Sequence, residues 1–185
     1  MPTIMNTPEN ATMEPVRKSI RVRANAARAF RVFTEELDSW WPRTHHIGKS
    51  PMTRGVLEGR EGGRCYSEQA DGTECDWGRI TEWEPPRRFV MAWLIQLKGE
   101  EWLPEPDASA CSEVEVIFTP QADGSTVVDL EHRAFERMIA GGAMMRASVN
   151  QQGGWNGLMQ LYKTQAESHG AESHGAESYG AESEG

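Results

Sequence analysis

Histidine side chains are the most versatile chemical groups in this sequence, because imidazole titrates near neutral pH and binds metal ions. His45 and His46 are adjacent in a predicted loop that follows Trp40-Trp41-Pro42. Adjacent residues of an extended loop point apart, and no other His or Cys at ligand spacing completes a metal site. Local hydrogen bonds are therefore favoured over a contact with a bound molecule, and no metal site is expected. At most one of the two histidines should face a cavity.

His132 alternates with Val128 and Leu130 along a predicted strand, so its side chain should face inward. A polar group on an apolar surface needs a hydrogen-bond partner. To act as a catalytic base, His132 would need a carboxylate or a bound substrate within hydrogen-bond reach. A hydrogen-bonded core histidine is favoured, and catalysis by His132 is the weaker alternative.

A group of charged side chains lies on one predicted strand, namely Asp76, Arg79 and Glu82. By simple alternation Asp76 and Glu82 share a face with Ile80, whereas Arg79 shares the other face with Trp77. They therefore cannot all face one cavity, and solvated cross-strand ion pairs are favoured over catalysis. The sequence has no nucleophile elbow and no phosphate-binding glycine loop, so no cofactor is expected.

Seven tryptophans are many for a chain of 185 residues. Indole rings suit the wall of a cavity for a flat or apolar ligand, and they suit a packed core equally well. They are Trp40, Trp41, Trp77, Trp83, Trp93, Trp102 and Trp155.

The elements that must position these residues begin with a β-meander over residues 61–97. Asp71-Gly72 is typical of a tight hairpin turn, and Pro85-Pro86 breaks the next pairing. Three strands are thus predicted, over 65–69, 74–83 and 88–97, followed by a polar loop over 98–110.

The three cysteines are expected to be reduced thiols, since there is no CxxC pair. With a two-residue turn at Asp71-Gly72, Cys75 would lie opposite Glu68 and Cys65 opposite Gly78. The two thiols would then point to opposite faces, which argues against a disulfide.

The rest of the chain predicts more strands and three helices. A strand over 16–23 precedes short helices over 26–33, with Asn25 as N-cap, and over 35–41. Further strands are predicted over 55–58 and on both sides of the turn Asp123-Gly124. A long helix over 143–163 carries an apolar stripe that includes Trp155 and Tyr162, and Gly153-Gly154 interrupts it.

Composition predicts one domain over residues 16–164, with a flexible lead over 1–15 and a disordered tail over 165–185. The tail repeats AESHG-like units and contributes five acidic residues to the net charge of −9. The sequence has no basic stripe of the kind that binds nucleic acid, so nucleic-acid binding is not expected. No apolar run is long enough to span a membrane and no signal peptide is evident, so a cytoplasmic protein is expected.

Specific words of the sequence resemble a known superfamily. They are AARAFRVFTEELDSWWP, HHIG, EGGRCY, DGTECDWGRITEWEPPRRFVMAW, LEHRAFE and GGWNGLMQLY. Across residues 16–164 the chain resembles the START-like (SRPBCC, Bet v-type) superfamily, and within it the bacterial branch named after the activator of the 90-kDa heat-shock protein ATPase.

The resemblance implies an α+β helix-grip fold, in which a curved antiparallel sheet of about six to seven strands wraps around a long C-terminal helix. It also implies a cavity that holds hydrophobic small molecules, lipids or polyketides. Chaperone activation is not expected, because the co-chaperone of that name carries an additional domain for which this chain has no room.

Three functional hypotheses follow. The first is binding of a small hydrophobic ligand in a cavity lined by Trp41, His45, Trp77, Trp93, His132 and Trp155. The second is a cyclase or lyase in which His132 and a nearby carboxylate move protons on a polyketide-like substrate. The third is a protein-interaction module. The chain is expected to be a monomer or a homodimer, although Glu113 and Glu115 argue against an apolar dimer face.

Overall fold

The computed structural model describes residues 12–168, so the predictions for residues 1–11 and 169–185 lie outside the described part of the chain. The elements in chain order are β1 (Val16–Val22), α1 (Ala26–Thr34), α2 (Leu37–Trp40), β2 (Met52–Leu57), β3 (Arg64–Gln69), β4 (Glu74–Glu84), β5 (Arg88–Trp93), β6 (Ile95–Lys98), β7 (Glu101–Pro104), β8 (Ser112–Pro120), β9 (Thr126–Arg133), α3 (Gly142–Val149) and α4 (Gly157–Ser168).

Seven of the strands form one curved antiparallel sheet, in the order β1-β9-β8-β5-β4-β3-β2. Strands β8 and β9 carry the clean alternation that the sequence predicts, so Val128, Leu130 and His132 are buried on the inner face. The helices cover this face, because it alone exposes a continuous apolar surface. The predicted helix-grip fold is confirmed.

Helix α1 begins at the predicted N-cap, where the Asn25 side chain accepts a backbone hydrogen bond from the first turn. Its inner face buries Phe30 and Phe33 against aromatic side chains of the sheet. The Tyr162 hydroxyl of α4 donates to the carbonyl oxygen of Ala29 at 2.8 Å. Helices α1 and α4 are therefore joined to each other and to the sheet.

The strand predicted over 88–97 is divided at Leu94, and this boundary prediction was wrong. Strand β6 leaves the main sheet and pairs with β7, which lies inside the predicted loop over 98–110. The apolar run that spans the division is buried on both sides: Trp93 joins the main core, while Ala92 and Leu94 pack with Cys111 in a small second cluster. No polar residue marks the bend, so periodicity could not locate it.

The hairpin between β3 and β4 has a three-residue turn, because the Gln69 N–H donates to the Thr73 carbonyl oxygen at 2.8 Å. Cys75 consequently lies opposite Ser67 and not opposite Glu68, whereas Cys65 lies opposite Gly78 as predicted. The described cysteines are free thiols.

Two β-bulges in β4, at Trp77 and Thr81, each reverse the alternation of side chains. As a result Asp76, Arg79 and Glu82 all lie on the outer face, where they belong to surface ion pairs. The prediction that they divide between two faces was wrong, because simple counting does not allow for bulges. The favoured interpretation as solvated ion pairs agrees with these contacts.

The C-terminal helix is divided into two helices, α3 and α4, at the Gly153-Gly154 interruption that the sequence predicts. An irregular turn separates them, and Gly154 there has φ −91° and ψ −138°. Helix α4 continues to Ser168, Ala166 is buried, and Glu167 accepts a hydrogen bond from Arg23 N. The first residues of the predicted tail are therefore helical.

No helix within residues 12–168 has the length and apolar content needed to cross a membrane.

Gly154→Ala should destabilise the fold, whereas Gly153→Ala should be nearly neutral. A Cβ atom at Gly154 would lie 2.3 Å from the Val149 carbonyl oxygen, while a Cβ at Gly153 meets nothing within 4 Å. Relief of that contact requires a backbone shift, which costs about 1–3 kcal/mol in free energy of unfolding. Urea unfolding of the two variants beside the parent measures the difference, and equal stabilities would show that the turn is not sterically constrained.

Candidate functional site

A cavity of about 390 Å³ lies between the inner face of the sheet and the two C-terminal helices. Five indole side chains form most of its wall, those of Trp41, Trp77, Trp93, Trp102 and Trp155. The other lining residues are Thr44, His45, His46, Ile47, Ile95, Ser148, Val149, Gln151, Gly153, Gly154 and Leu158. No Asp, Glu, Lys or Arg of the described chain is among them, so the cavity surface is mainly apolar, with a few neutral polar groups and two histidines.

Trp41 and Trp77 form a parallel stacked pair, with ring centroids 5.3 Å apart and an interplanar angle of 10°. Trp41 directly follows α2, and its N–H donates to the His45 carbonyl oxygen at 2.8 Å. Trp77 reaches the cavity because the bulge in β4 turns its side chain inward. The pair gives the cavity one flat aromatic side.

Two buried hydrogen bonds fix Trp155, whose ring makes an edge contact with Trp41 at a centroid distance of 6.3 Å. Its indole N–H donates to His132 Nδ1 at 3.0 Å. Because Nδ1 accepts this bond, the neutral imidazole carries its proton on Nε2, which donates to Ser112 Oγ at 2.8 Å. Trp155 thereby acquires a fixed ring orientation although it follows an irregular turn.

His132 lies one layer behind the cavity wall and does not line the cavity as the sequence analysis expected. The side chain is fully buried, and burial lowers its pKa from 6.5 to about 3. Both ring nitrogens already have partners, and neither partner is a carboxylate. This arrangement matches the favoured interpretation, a hydrogen-bonded core histidine, and it offers no catalytic base to a ligand.

His45 and His46 both line the cavity, so the expectation that at most one would do so was wrong. His45 Nε2 donates to the Gly153 carbonyl oxygen at 2.9 Å, and Thr44 Oγ1 lies 3.1 Å from its Nδ1. This bond ties the loop after α2 to the irregular turn between α3 and α4. His46 Nδ1 is buried and has no hydrogen-bond partner among the described residues.

Five of the indole and imidazole side chains on the wall were predicted from the sequence, whereas His46, Trp102 and the backbone of the irregular turn were not. Trp102 lies on β7, within a segment whose prolines and charges predicted a loop. The Gly153-Gly154 pair was the available signal for the turn, since adjacent glycines in a helical pattern permit a close backbone approach.

Within residues 12–168 no three His, Cys, Asp or Glu side chains are grouped so as to hold a metal ion.

The sequence profile of the family described as "Activator of Hsp90 ATPase homolog 1-like protein" matches residues 23–164. The chain belongs to this family. The match covers all of the cavity-lining residues and nearly all of the helix-grip domain. The family lies within the START-like superfamily. No curated protein matches the chain significantly.

Solved structures of other proteins share the fold along almost their whole length. The structure described as an anthrahydroquino-γ-pyrone synthase, Txn09, complexed with SUM is 34% identical, covers 85% of this chain and 99% of its own, and has a TM-score of 0.57. CalC from Micromonospora echinospora, described as a self-sacrificing resistance protein, is 26% identical. The match covers 88% of this chain and 97% of CalC, with a TM-score of 0.57. The Aha1 dimer from Colwellia psychrerythraea is 15% identical, and the match covers 84% of this chain and 98% of Aha1, with a TM-score of 0.57. At this low identity the likeness shows the fold alone.

Burial of neutral His132 should make this family member less stable as the pH falls below 6.5. The unfolded chain takes up a proton near pH 6.5, whereas folded His132 stays neutral down to about pH 3, so acid favours the unfolded state. The free energy of unfolding should fall with a slope approaching about 1.4 kcal/mol per pH unit in this window.

Urea unfolding between about pH 7 and pH 5 tests this slope, because the carboxylates with lowered pKa values titrate at lower pH. The control is His132→Gln, which removes the titrating group. This variant should be less stable at neutral pH but should lose most of the slope. A slope that persists in full in His132→Gln would assign it to other groups.

Proposed function

We propose that this protein binds a planar, uncharged, hydrophobic small molecule in the tryptophan-lined cavity. The stacked pair of Trp41 and Trp77 is the observation that carries the proposal. It supplies two parallel indole rings, and Trp93 adds edge-to-face contacts with Trp77 and Trp155 at interplanar angles of 63° and 62°. Offset stacking and edge-to-face contacts with such rings favour a flat aromatic ligand over a flexible chain.

The size and polarity of the cavity support the same ligand class. A volume of about 390 Å³ lies within the range of ~300–1,000 Å³ that is typical of small-molecule sites. Because no charged side chain of residues 12–168 lines the cavity, a phosphate or free carboxylate would lose its hydration without a compensating ion pair.

The relatives support an aromatic polyketide-type ligand. Proteins of this superfamily typically bind hydrophobic molecules, and the relative with 34% identity is described as a synthase of an anthrahydroquino-γ-pyrone, a fused aromatic ring system. The cavity of the present chain has the flat aromatic walls that such a ring system requires.

A ring-closing activity on such a substrate is the second candidate, and the synthase relative is the observation that favours it. The titratable groups available for proton transfer are His45 and His46, which line the cavity, and not the buried His132.

Incubation with the substrate of the synthase relative, followed by chromatography and mass spectrometry, tests this activity. Loss of product in His46→Ala, with turnover retained in His132→Gln, is the expected result.

A partner bound to the outer sheet face is less well supported. Burial alone would raise the pKa of Glu115, but hydrogen bonds from Arg88 and Arg133 outweigh it and hold this pKa below its ordinary value. Arg133 also bonds Glu113 at 2.7 Å. A protein that covers this network would have to remove water from several charges at once, so binding in the cavity remains the favoured function.

Ser148→Trp should block ligand binding, whereas Ala147→Trp should leave it intact. Both residues lie on α3, but Ser148 lines the cavity and Ala147 is exposed to solvent. An indole at position 148 would occupy the ligand volume, and the affinity for the fluorescent probe 1-aminoanthracene should fall at least about tenfold.

The titration is followed by probe fluorescence, and circular dichroism confirms that both variants are folded. Equal probe affinity in the two variants would place the binding site elsewhere. Native mass spectrometry of the freshly purified parent and of Ser148→Trp then tests for a copurified ligand, which only the parent should carry.

A further inference from the structure

Buried polar atoms without a partner are few in this protein, and two of them belong to the cavity wall. Folded proteins pair nearly all such atoms, so each exception calls for a partner that the chain itself does not supply. Within residues 12–168 the unpartnered buried side-chain atoms are Arg28 Nη2, His46 Nδ1, Gln69 Oε1 and Trp93 Nε1. His46 and Trp93 both line the cavity.

Trp93 differs in this respect from Trp41 and Trp155, two buried tryptophans on the same cavity wall. Trp41 donates its N–H to the His45 carbonyl oxygen, and Trp155 donates its N–H to His132. The Trp93 side chain is 5% exposed, yet its N–H has neither a protein acceptor nor contact with bulk water. Water solvates this donor in the unfolded chain, so its burial is unfavourable unless something in the cavity accepts the bond.

We propose that the Trp93 N–H donates a hydrogen bond to the ligand, and that the ligand is therefore an aromatic carbonyl compound, such as an aryl ketone or quinone. This inference rests on the proposed function, and it specifies which flat hydrophobic molecules the cavity selects. Plain hydrocarbons and fatty acyl chains are disfavoured, because they would leave the donor unpaired.

The chemistry of the wall favours a carbonyl group as the acceptor. An indole N–H is only a donor, so its partner must be an acceptor. A neutral acceptor is favoured, because no Lys or Arg of the described residues lines the cavity. A carbonyl conjugated to a ring system also keeps the ligand flat against the stacked indoles. His46 Nδ1 can donate or accept according to tautomer, which suits a second oxygen on the ligand.

The test compares two ligands of nearly equal shape, 9-fluorenone and fluorene, which differ by one carbonyl oxygen. Displacement of 1-aminoanthracene measures both affinities in the parent protein. Fluorene is the more hydrophobic of the two, so apolar burial alone would favour it. We expect fluorenone to bind more tightly, by roughly three- to tenfold, which corresponds to one net hydrogen bond.

Trp93→Phe removes the donor and keeps an aromatic ring, so the preference for fluorenone should disappear. Trp102→Phe is the matched control, because it makes the same substitution on the same cavity wall at a partly exposed position. The control should keep the preference. An unchanged fluorenone-to-fluorene ratio in Trp93→Phe would overturn the inference.

The infrared carbonyl stretch of bound fluorenone gives a second readout that does not require Trp93→Phe to fold. A hydrogen bond should lower this frequency below its value in an alkane solvent, and the shift should persist in His46→Ala, which retains Trp93. An alkane-like frequency in the parent would overturn the inference while leaving hydrophobic binding in place. If neither ligand nor the probe binds the parent, the proposed function fails as well.

Discussion

The hydrogen bond from Trp155 to His132 joins the two halves of this molecule. On one side is the irregular turn between α3 and α4, and on the other is β9, the second strand of the sheet. Ser112 completes the connection by pairing with the second imidazole nitrogen, so two strands hold one indole. Because both imidazole nitrogens and the Trp155 indole N–H have partners, the imidazole stays neutral and the indole keeps a single orientation. The position of the cavity wall depends on this arrangement.

In β4, the strong difference between the two faces of the sheet follows from two bulges. Each bulge inserts a residue that changes which side chains point inward, and together they bring Trp77 to the cavity and Asp76 to the outer surface. Bulges also increase strand twist, which helps a sheet to curve around a helix. Curvature, aromatic lining and the segregation of charge to the outside therefore have a common local origin.

Local signals in the sequence predicted much of this fold. Asn25 marked the start of α1, and the alternation in β8 and β9 correctly assigned the inward face that contains His132. The strand boundary at Leu94 and the bulge at Trp77 were not predictable, because both depend on contacts with residues distant in sequence. His46 was missed for a similar reason: the rule that neighbouring residues point apart does not apply to a loop that curves around a cavity.

The break at Gly154 separates helix α4, which maintains the fold, from helix α3, which contributes to the cavity wall. Helix α4 is joined to α1 and β1, whereas α3, the loop after α2 and the β6–β7 hairpin surround the cavity outside the hydrogen-bond ladders of the main sheet. Substitutions in these three peripheral segments can accumulate without altering strand pairing. An ancestral domain of this design could therefore acquire new specificities by mutation of a small, tolerant set of positions. Proteins described as a synthase and as a resistance protein, at 34% and 26% identity on the same fold, are the kind of diversification that such a separation permits.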